Sequence, residues 1–335
     1  MPVNQQWLNQ IEEETLEPGL QICDPHHHLW DHPGSRYLLE DLLDDTNSGH
    51  KVVSTVFVEC MSEYKKDTTV ALAPVGETEF VQSIAEVSAS GEFGETKAAA
   101  AIVSFADLLL GDAVDEVLTA HIEASPNRFR GIRHACSWDS SEEVRNSHTN
   151  PPTELYLNPE FRLGFARLKE FDLSFDAWLY HSQLPELLSL AKAFPQQAIV
   201  LDHVGGPLGI GPYKGRRKEI FEVWKNNIIA LAQCDNVVVK LGGLAMAING
   251  FQWHKQELPP TSEQLAEATR PYILHCIEQF GPNRCMFESN FPVDKVSCSY
   301  NILWNSFKRV TTEFSDDEKK AMYHDTAVKF YSIKD

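Results

Sequence analysis

The sequence predicts an α/β protein built as a single (β/α)8 TIM barrel, and three observations carry that expectation. Eight short runs rich in β-branched and other apolar residues recur along the 335 residues. Stretches with helical spacing lie between most of them, and many runs lack the apolar/polar alternation of a half-exposed strand, as expected for strands buried on both faces of a parallel sheet. Connections into the runs are short and those leaving them are long, the asymmetry of a barrel whose working face lies at the strand C-termini.

The runs are 20-LQICD-24, 52-VVSTVFVE-59, 98-AAAAIVSF-105, 129-FRGIRH-134, 173-LSFDAWLY-180, 198-AIVLDH-203, 236-NVVVKL-241 and 284-RCMFE-288. Residues 112–124 carry apolar positions at helical spacing, and Ser182 is a candidate N-cap for QLPELLSLAKAF. Pro159 after Asn158 marks a first helical turn, and 315-SDDE-318 is a capping box ahead of a C-terminal amphipathic helix. The pieces 125-SPN-127, 194-FPQQ-197, 234-CDN-236 and 281-GPN-283 lead into strands, whereas 137–155, 204–217 and 243–260 lead out of them. No repeat or low-complexity linker divides the chain, so an N-terminal extension over 1–19 is expected to precede one barrel domain over 20–335.

An apolar fraction of 43% is ample for one core. A net charge of −19 opposes binding to nucleic acid or an anionic membrane surface, which leaves small molecules or a further copy of the chain as expected partners. There is no signal-like N-terminus and no membrane-length apolar stretch, so a soluble, cytoplasmic protein is expected. Seven cysteines are scattered without a CxxC pair, which suits buried thiols rather than a disulfide framework.

The stretch 24-DPHHHLWD-31 places His26 and His28 two apart on an extended chain, so they share a face and His27 takes the other. Imidazoles so placed can converge on zinc or a similar ion, or on substrate. His181 and His203 stand at the ends of two later runs on the same rim, and His134 ends another. Arg133 and Lys240 sit at strand ends where a barrel seldom tolerates unpaired charge. Either they pair with Glu59 or Asp202, or they hold an anionic substrate, for which arginine's planar fork suits a carboxylate. Trp30 and Glu59 are further candidate substrate contacts.

Together DPHHHLWD, FVE, SFADLLLGDAV, FRGIRHA, LSFDAWLYHSQLPEL, IVLDHVGGP, VVVKLGGL and MFESNFPVDK resemble the amidohydrolase superfamily over nearly the whole chain. The likeness is greatest to the amidohydrolase-related branch that contains 2-pyrone-4,6-dicarboxylate lactonase and L-fuconolactonase. The resemblance implies a barrel hydrolase in which His26, His28, His181 and His203 surround the reacting centre. It implies either one divalent ion, zinc or manganese, on His26, His28 and His181, or a lactonase that needs no metal. Where the family carries an aspartate after strand eight this chain reads 287-FESN-290, and Asn290 cannot act as a base. Glu288, on the same face two residues earlier, and Asp294 are the carboxylates able to replace it; their structural alternatives are an ion pair with Arg284 or Lys295 and a helix cap.

The glycine pairs at 205–206 and 242–243 lack any phosphate-loop spacing and read as mobile rim loops, and 214-KGRRK-218 reads as a solvated run. Met246, Phe251 and Trp253 could form an apolar lid, and no GxSxG elbow is present. The expected activity is opening of a lactone or related cyclic ester of an anionic small molecule. The alternatives are metal-dependent decarboxylation of an aromatic or muconate-type acid, and a non-catalytic barrel that binds an anion.

Overall fold

The computed structural model of the chain describes residues 3–334, in which eight parallel strands form one sheet in chain order. They are β1 Gln21–His27, β2 Lys51–Val58, β3 Lys97–Ser104, β4 Phe129–Arg133, β5 Ser174–Ala177, β6 Ile199–Leu201, β7 Val237–Leu241 and β8 Cys285–Phe287. Every residue of β5, β6 and β8 is buried, because helices cover one face of the sheet and the barrel interior fills the other. One principal helix follows each strand: α1 Leu39–Thr46, α2 Val75–Ala89, α3 Val114–Ala124, α4 Pro159–Glu170, α5 Leu184–Ala193, α6 Arg217–Leu231, α7 Ser262–Phe280 and α8 Tyr300–Val310.

Backbone bonds past the end of β8 link it to β1. Asn290 N–H donates to His26 O at 2.9 Å, and His28 N–H donates to Phe291 O at 2.8 Å. Asp24 adds a side-chain tie, accepting the Ser289 N–H at 2.9 Å and the Tyr300 hydroxyl at 2.9 Å. Pro25 cannot donate to a ladder, and the pairing of β1 with β2 slips between Asp24 and His27. The histidine triplet therefore sits on a bulge at the seam of the barrel.

The interior layer is small and apolar: Cys23, Val56, Val58, Ala101, Val103, Val200 and Met286, with Tyr331 inserted among them. Tyr331 arrives from a C-terminal segment that packs beside residues 282–284, where Thr326 Oγ1 donates to Pro282 O at 3.5 Å. That segment covers the N-terminal ends of the strands and leaves the loop-bearing rim as the opposite face. Residues preceding β1 are fastened to α7 and α8: Glu13 accepts the Ser262 N–H at 2.8 Å, and Lys308 Nζ donates to Leu16 O and Glu17 O.

Asn158 caps α4 with Pro159 at its first position, and Ser315 with Glu318 forms the expected capping box. Ser182 is not a cap. The chain takes a 3-10 turn over His181–Gln183, and α5 starts after it without a side-chain cap. The pattern at 112–124 likewise begins in a 3-10 turn, Leu108–Ala113, before α3. Among the described residues no helix is long and apolar enough to cross a membrane.

Candidate active site

A mouth of about 330 Å³ opens at the strand C-termini, lined by His28, Trp30, Arg133, Arg145, His148, Trp178, Tyr180, His203 and Asn290 among others. Beneath it lies a sealed cluster of charged and imidazole groups. His26, Asp176, Asp202, Lys240 and Glu288 are each fully buried there.

Glu288 organises the cluster. One carboxylate oxygen lies 2.7 Å from His203 Nδ1 and accepts the His203 N–H at 3.1 Å; the other lies 2.9 Å from His26 Nδ1. Burial pushes this carboxyl up, but the facing imidazoles of His203 and His26 outweigh it and hold it at about 2. An ionised carboxylate on both Nδ1 atoms selects the tautomer with the proton there, leaving Nε2 as each ring's acceptor. His26 Nε2 then accepts a hydrogen bond from Arg133 Nη1 at 3.3 Å, whereas His203, packed edge-on to Trp178, keeps Nε2 for the mouth. His28 is set in the same sense, since its Nδ1 donates to Val58 O at 2.7 Å. His27 faces the other way, 2.8 Å from Thr55 Oγ1, and burial depresses it to about 3.

The backbone that presents His203 is strained. His203, Val204, Gly205 and Gly206 all have positive φ, at 53°, 49°, 76° and 48°, and Val204 is β-branched. The two non-glycine residues, His203 and Val204, cost of order 1–3 kcal/mol each in this conformation and persist there only where the surroundings hold them. Trp224 Nε1–H does so by donating to Val204 O at 2.7 Å. Gly242 and Gly243 are part of the same packing rather than a mobile rim: a Cβ on Gly242 would meet Glu288 Cγ at 2.3 Å, and one on Gly243, at φ 65°, would meet the His203 ring at 2.5 Å. Gly243→Ala is therefore expected to lower kcat by about 10²-fold through displacement of the imidazole, with KM little changed. Steady-state kinetics beside a melting curve checks this, and a variant with wild-type kcat would show that the ring position is not held here.

Several expected site residues lie elsewhere. β5 ends at Ala177, so Trp178 reaches the mouth while His181 is carried past it into the 3-10 turn. There His181 Nδ1 accepts the Leu208 N–H at 3.4 Å, and the ring is not among the donors around His26. Glu59 is sealed below the mouth, its oxygens 2.7 Å from Arg133 Nε and 2.9 Å from His148 Nε2, so it holds these two groups rather than substrate. Lys240 is equally sealed, paired with Asp176 at 2.7 Å and Asp202 at 2.9 Å. Asp294 does not reach the mouth: it accepts from Ala245 N at 3.3 Å and Asn290 Nδ2 at 3.3 Å, and burial together with Glu288 raises its pKa well above the carboxylate range. Asn290 itself lines the mouth. His134 accepts the Leu108 N–H at 3.2 Å and braces the turn before α3.

The sequence reading missed Arg145, Trp178, Tyr180 and His148. Arg145 projects from the 137–155 loop onto the rim, is exposed, and has no carboxylate in salt-bridge distance among the described residues. It was the one arginine in a long acidic rim loop, a signal that was available.

Donor atoms of His26, Asp202 and His203 lie within 4.8 Å of one another, the one such group among the described residues. Two imidazoles and a carboxylate are suitable ligands for zinc or manganese. Their contacts tell against an ion, however: both ring nitrogens of His26 face other partners, and Lys240 and Arg133 already set two cations against Asp202 and His26. The residues present do not fit a divalent ion at this point.

A family model described as amidohydrolase matches residues 23–333. An uncharacterized protein, y4mH, of Sinorhizobium fredii is 33% identical over 94% of this chain and 99% of its own length. An L-fucono-1,5-lactonase of Burkholderia multivorans is 25% identical over 70% of this chain and 72% of its own. Among solved structures, an amidohydrolase of Burkholderia multivorans with bound zinc superposes with a TM-score of 0.72 at 21% identity, covering 94% of this chain and all of that one.

Proposed function

The chain belongs to the amidohydrolase family and is a hydrolase, and from this we propose that it opens a lactone ring in a small molecule bearing a carboxylate, with His203 as the base. The observation that carries the reading is the Glu288–His203 pair, an ionised carboxylate on Nδ1 with Nε2 left for the mouth, beside the unpaired guanidinium of Arg145. The lactonase name of the Burkholderia multivorans relative supports the choice of ester.

In this reading the Arg145 guanidinium takes the substrate carboxylate, and the ring lies between Trp30 and Trp178. The lactone carbonyl faces Arg133, whose N–H groups stabilise charge developing on its oxygen, while neutral His28, with its proton on Nδ1, offers Nε2 only as an acceptor. His203 Nε2 removes a proton from water as its oxygen bonds to the carbonyl carbon, and Glu288 stabilises the imidazolium that forms. The ring C–O bond then breaks, the imidazolium returns its proton to the leaving alkoxide, and the product is a hydroxy acid. Glu288 acts through His203, Asp294 acts only through the Asn290 amide, and no step is routed through a zinc or manganese ion.

Ring opening followed by pH-stat on paired lactones with and without a carboxylate tests this. Turnover of the carboxylated member is expected, and no ring opening across the panel would reject the reading. Arg145→Ala should raise KM for it by ~10–100-fold at nearly constant kcat, since a charge-assisted hydrogen bond is worth about 1.5–3 kcal/mol. The uncarboxylated partner should be indifferent to that change.

A further inference from the structure

Lys240 Nζ is the meeting point of three groups that elsewhere bind divalent metals. It lies 2.7 Å from Asp176 Oδ2, 2.9 Å from Asp202 Oδ1 and 3.1 Å from His26 Nδ1. We propose that the Lys240 ammonium occupies the place of a divalent cation in this barrel, so that the chain excludes an ion there and removal of the ammonium opens a metal site.

Four observations carry this. The ammonium is completely buried, so it does not exchange its partners for water. Its three contacts come from β1, β5 and the turn after β6, three elements that the barrel holds in fixed register, so the donors stay convergent when the ammonium is removed. The surplus of charge has the right sign: beside the imidazoles of His26, His203 and His148, the four carboxylates of Asp176, Asp202, Glu288 and Glu59 share two permanent cations, Lys240 and Arg133, and deleting one of these deepens the deficit. The lengths also fit, because the Asp176 and Asp202 oxygens and, once it releases its proton, His26 Nδ1 lie 2.7–3.1 Å from the nitrogen and need to close by only ~0.6–1 Å to reach zinc distances of about 2.0–2.2 Å. Conversely, an ion in the wild-type chain would sit against the Lys240 ammonium and within reach of the Arg133 guanidinium, and both carry charge that the surrounding carboxylates stabilise. The inference concerns the cluster alone and does not depend on a lactone being the substrate.

The test is zinc content after equilibration with zinc chloride and exhaustive dialysis, measured by mass spectrometry on wild type, Lys240→Ala and Lys240→Met. Methionine keeps most of the apolar stem and so protects folding. Both variants are expected to retain at least about tenfold more zinc than wild type, corresponding to ~1.4 kcal/mol of added affinity. Asp202→Asn placed on either should abolish the gain. Folded variants that gain no zinc would overturn the proposal. So would stoichiometric zinc in the wild type that is lost on Asp202→Asn. Should neither Lys240 variant fold, the wild-type melting temperature decides: it is expected to be indifferent to excess zinc, and a rise removed by Asp202→Asn overturns the proposal.

Discussion

His203→Ala is expected to lower kcat by ~10²–10⁴-fold, the range over which a positioned general base contributes. Glu288→Gln should fall nearly as far although it never touches water in the proposed reaction. Glutamine can accept from one Nδ1–H but presents N–H to the other, so one of His26 and His203 must take the wrong tautomer. Because the two residues act as one unit, the double variant should be little worse than His203→Ala alone. Kinetics on the carboxylated lactone, with melting curves to exclude unfolding, provide the measurement. A Glu288→Gln enzyme within about threefold of wild type in kcat would remove the carboxylate from the mechanism, while additive losses would separate it from His203.

Arg133→Met carries the largest expected effect on stability. Arg133 is nearly buried and its Nε lies 2.7 Å from Glu59, whose carboxyl is pushed up by burial but held at about 2, chiefly by that guanidinium. Removing one partner of such a pair strands the other charge, which typically costs about 3–5 kcal/mol. Thermal unfolding near neutral pH should show Tm lowered by roughly 5–15 °C. Adding Glu59→Gln should return more than half of the loss, because the stranded charge is then gone. If the single variant melts with the wild type, or the second change brings no recovery, the pair is not what holds this part of the barrel. The carboxylate's stabilising share follows from its depressed pKa: it is present above the ordinary glutamate range and is lost as pH falls through about 2.

The barrel was legible because its signals are summed over many residues. Eight buried runs and a consistent difference in loop length survive errors of two or three residues at any boundary, such as the overextension of β5 from Ala177 to Tyr180. The site was legible only where chemistry coincides with a strand. Alternation along 26–28 assigned the faces of His26, His27 and His28, and the end of β6 put His203 on the rim. At His181 the same argument failed because β5 stops at Ala177, and the intervening residues turn the chain before the histidine is reached. Depth is the other quantity absent from a sequence. Lys240, Glu59 and Asp294 have the right residue types at the right strand ends, yet each is satisfied by partners one layer below the mouth. Such pairings join residues as far apart as 59 with 133 and 176 with 240, and no local pattern encodes them. Arg145 lay in a loop without periodicity, where only the contrast of a lone cation among acidic neighbours was visible.

The seam between β1 and β8 bears on how such a site can change over generations. Position 290 supports the barrel through its main chain, donating its N–H to His26 O, in a left-handed conformation of φ 55° that asparagine and aspartate both tolerate. Its side chain is tied as well, since Asn290 Nδ2 donates to Asp294 Oδ1 at 3.3 Å. An aspartate in its place would keep the backbone tie but set a second carboxyl against buried Asp294, so the exchange requires a proton held between the two. The main chain of the seam is thus indifferent to which of the two residues stands at 290, while the proton balance around Asp294 is not.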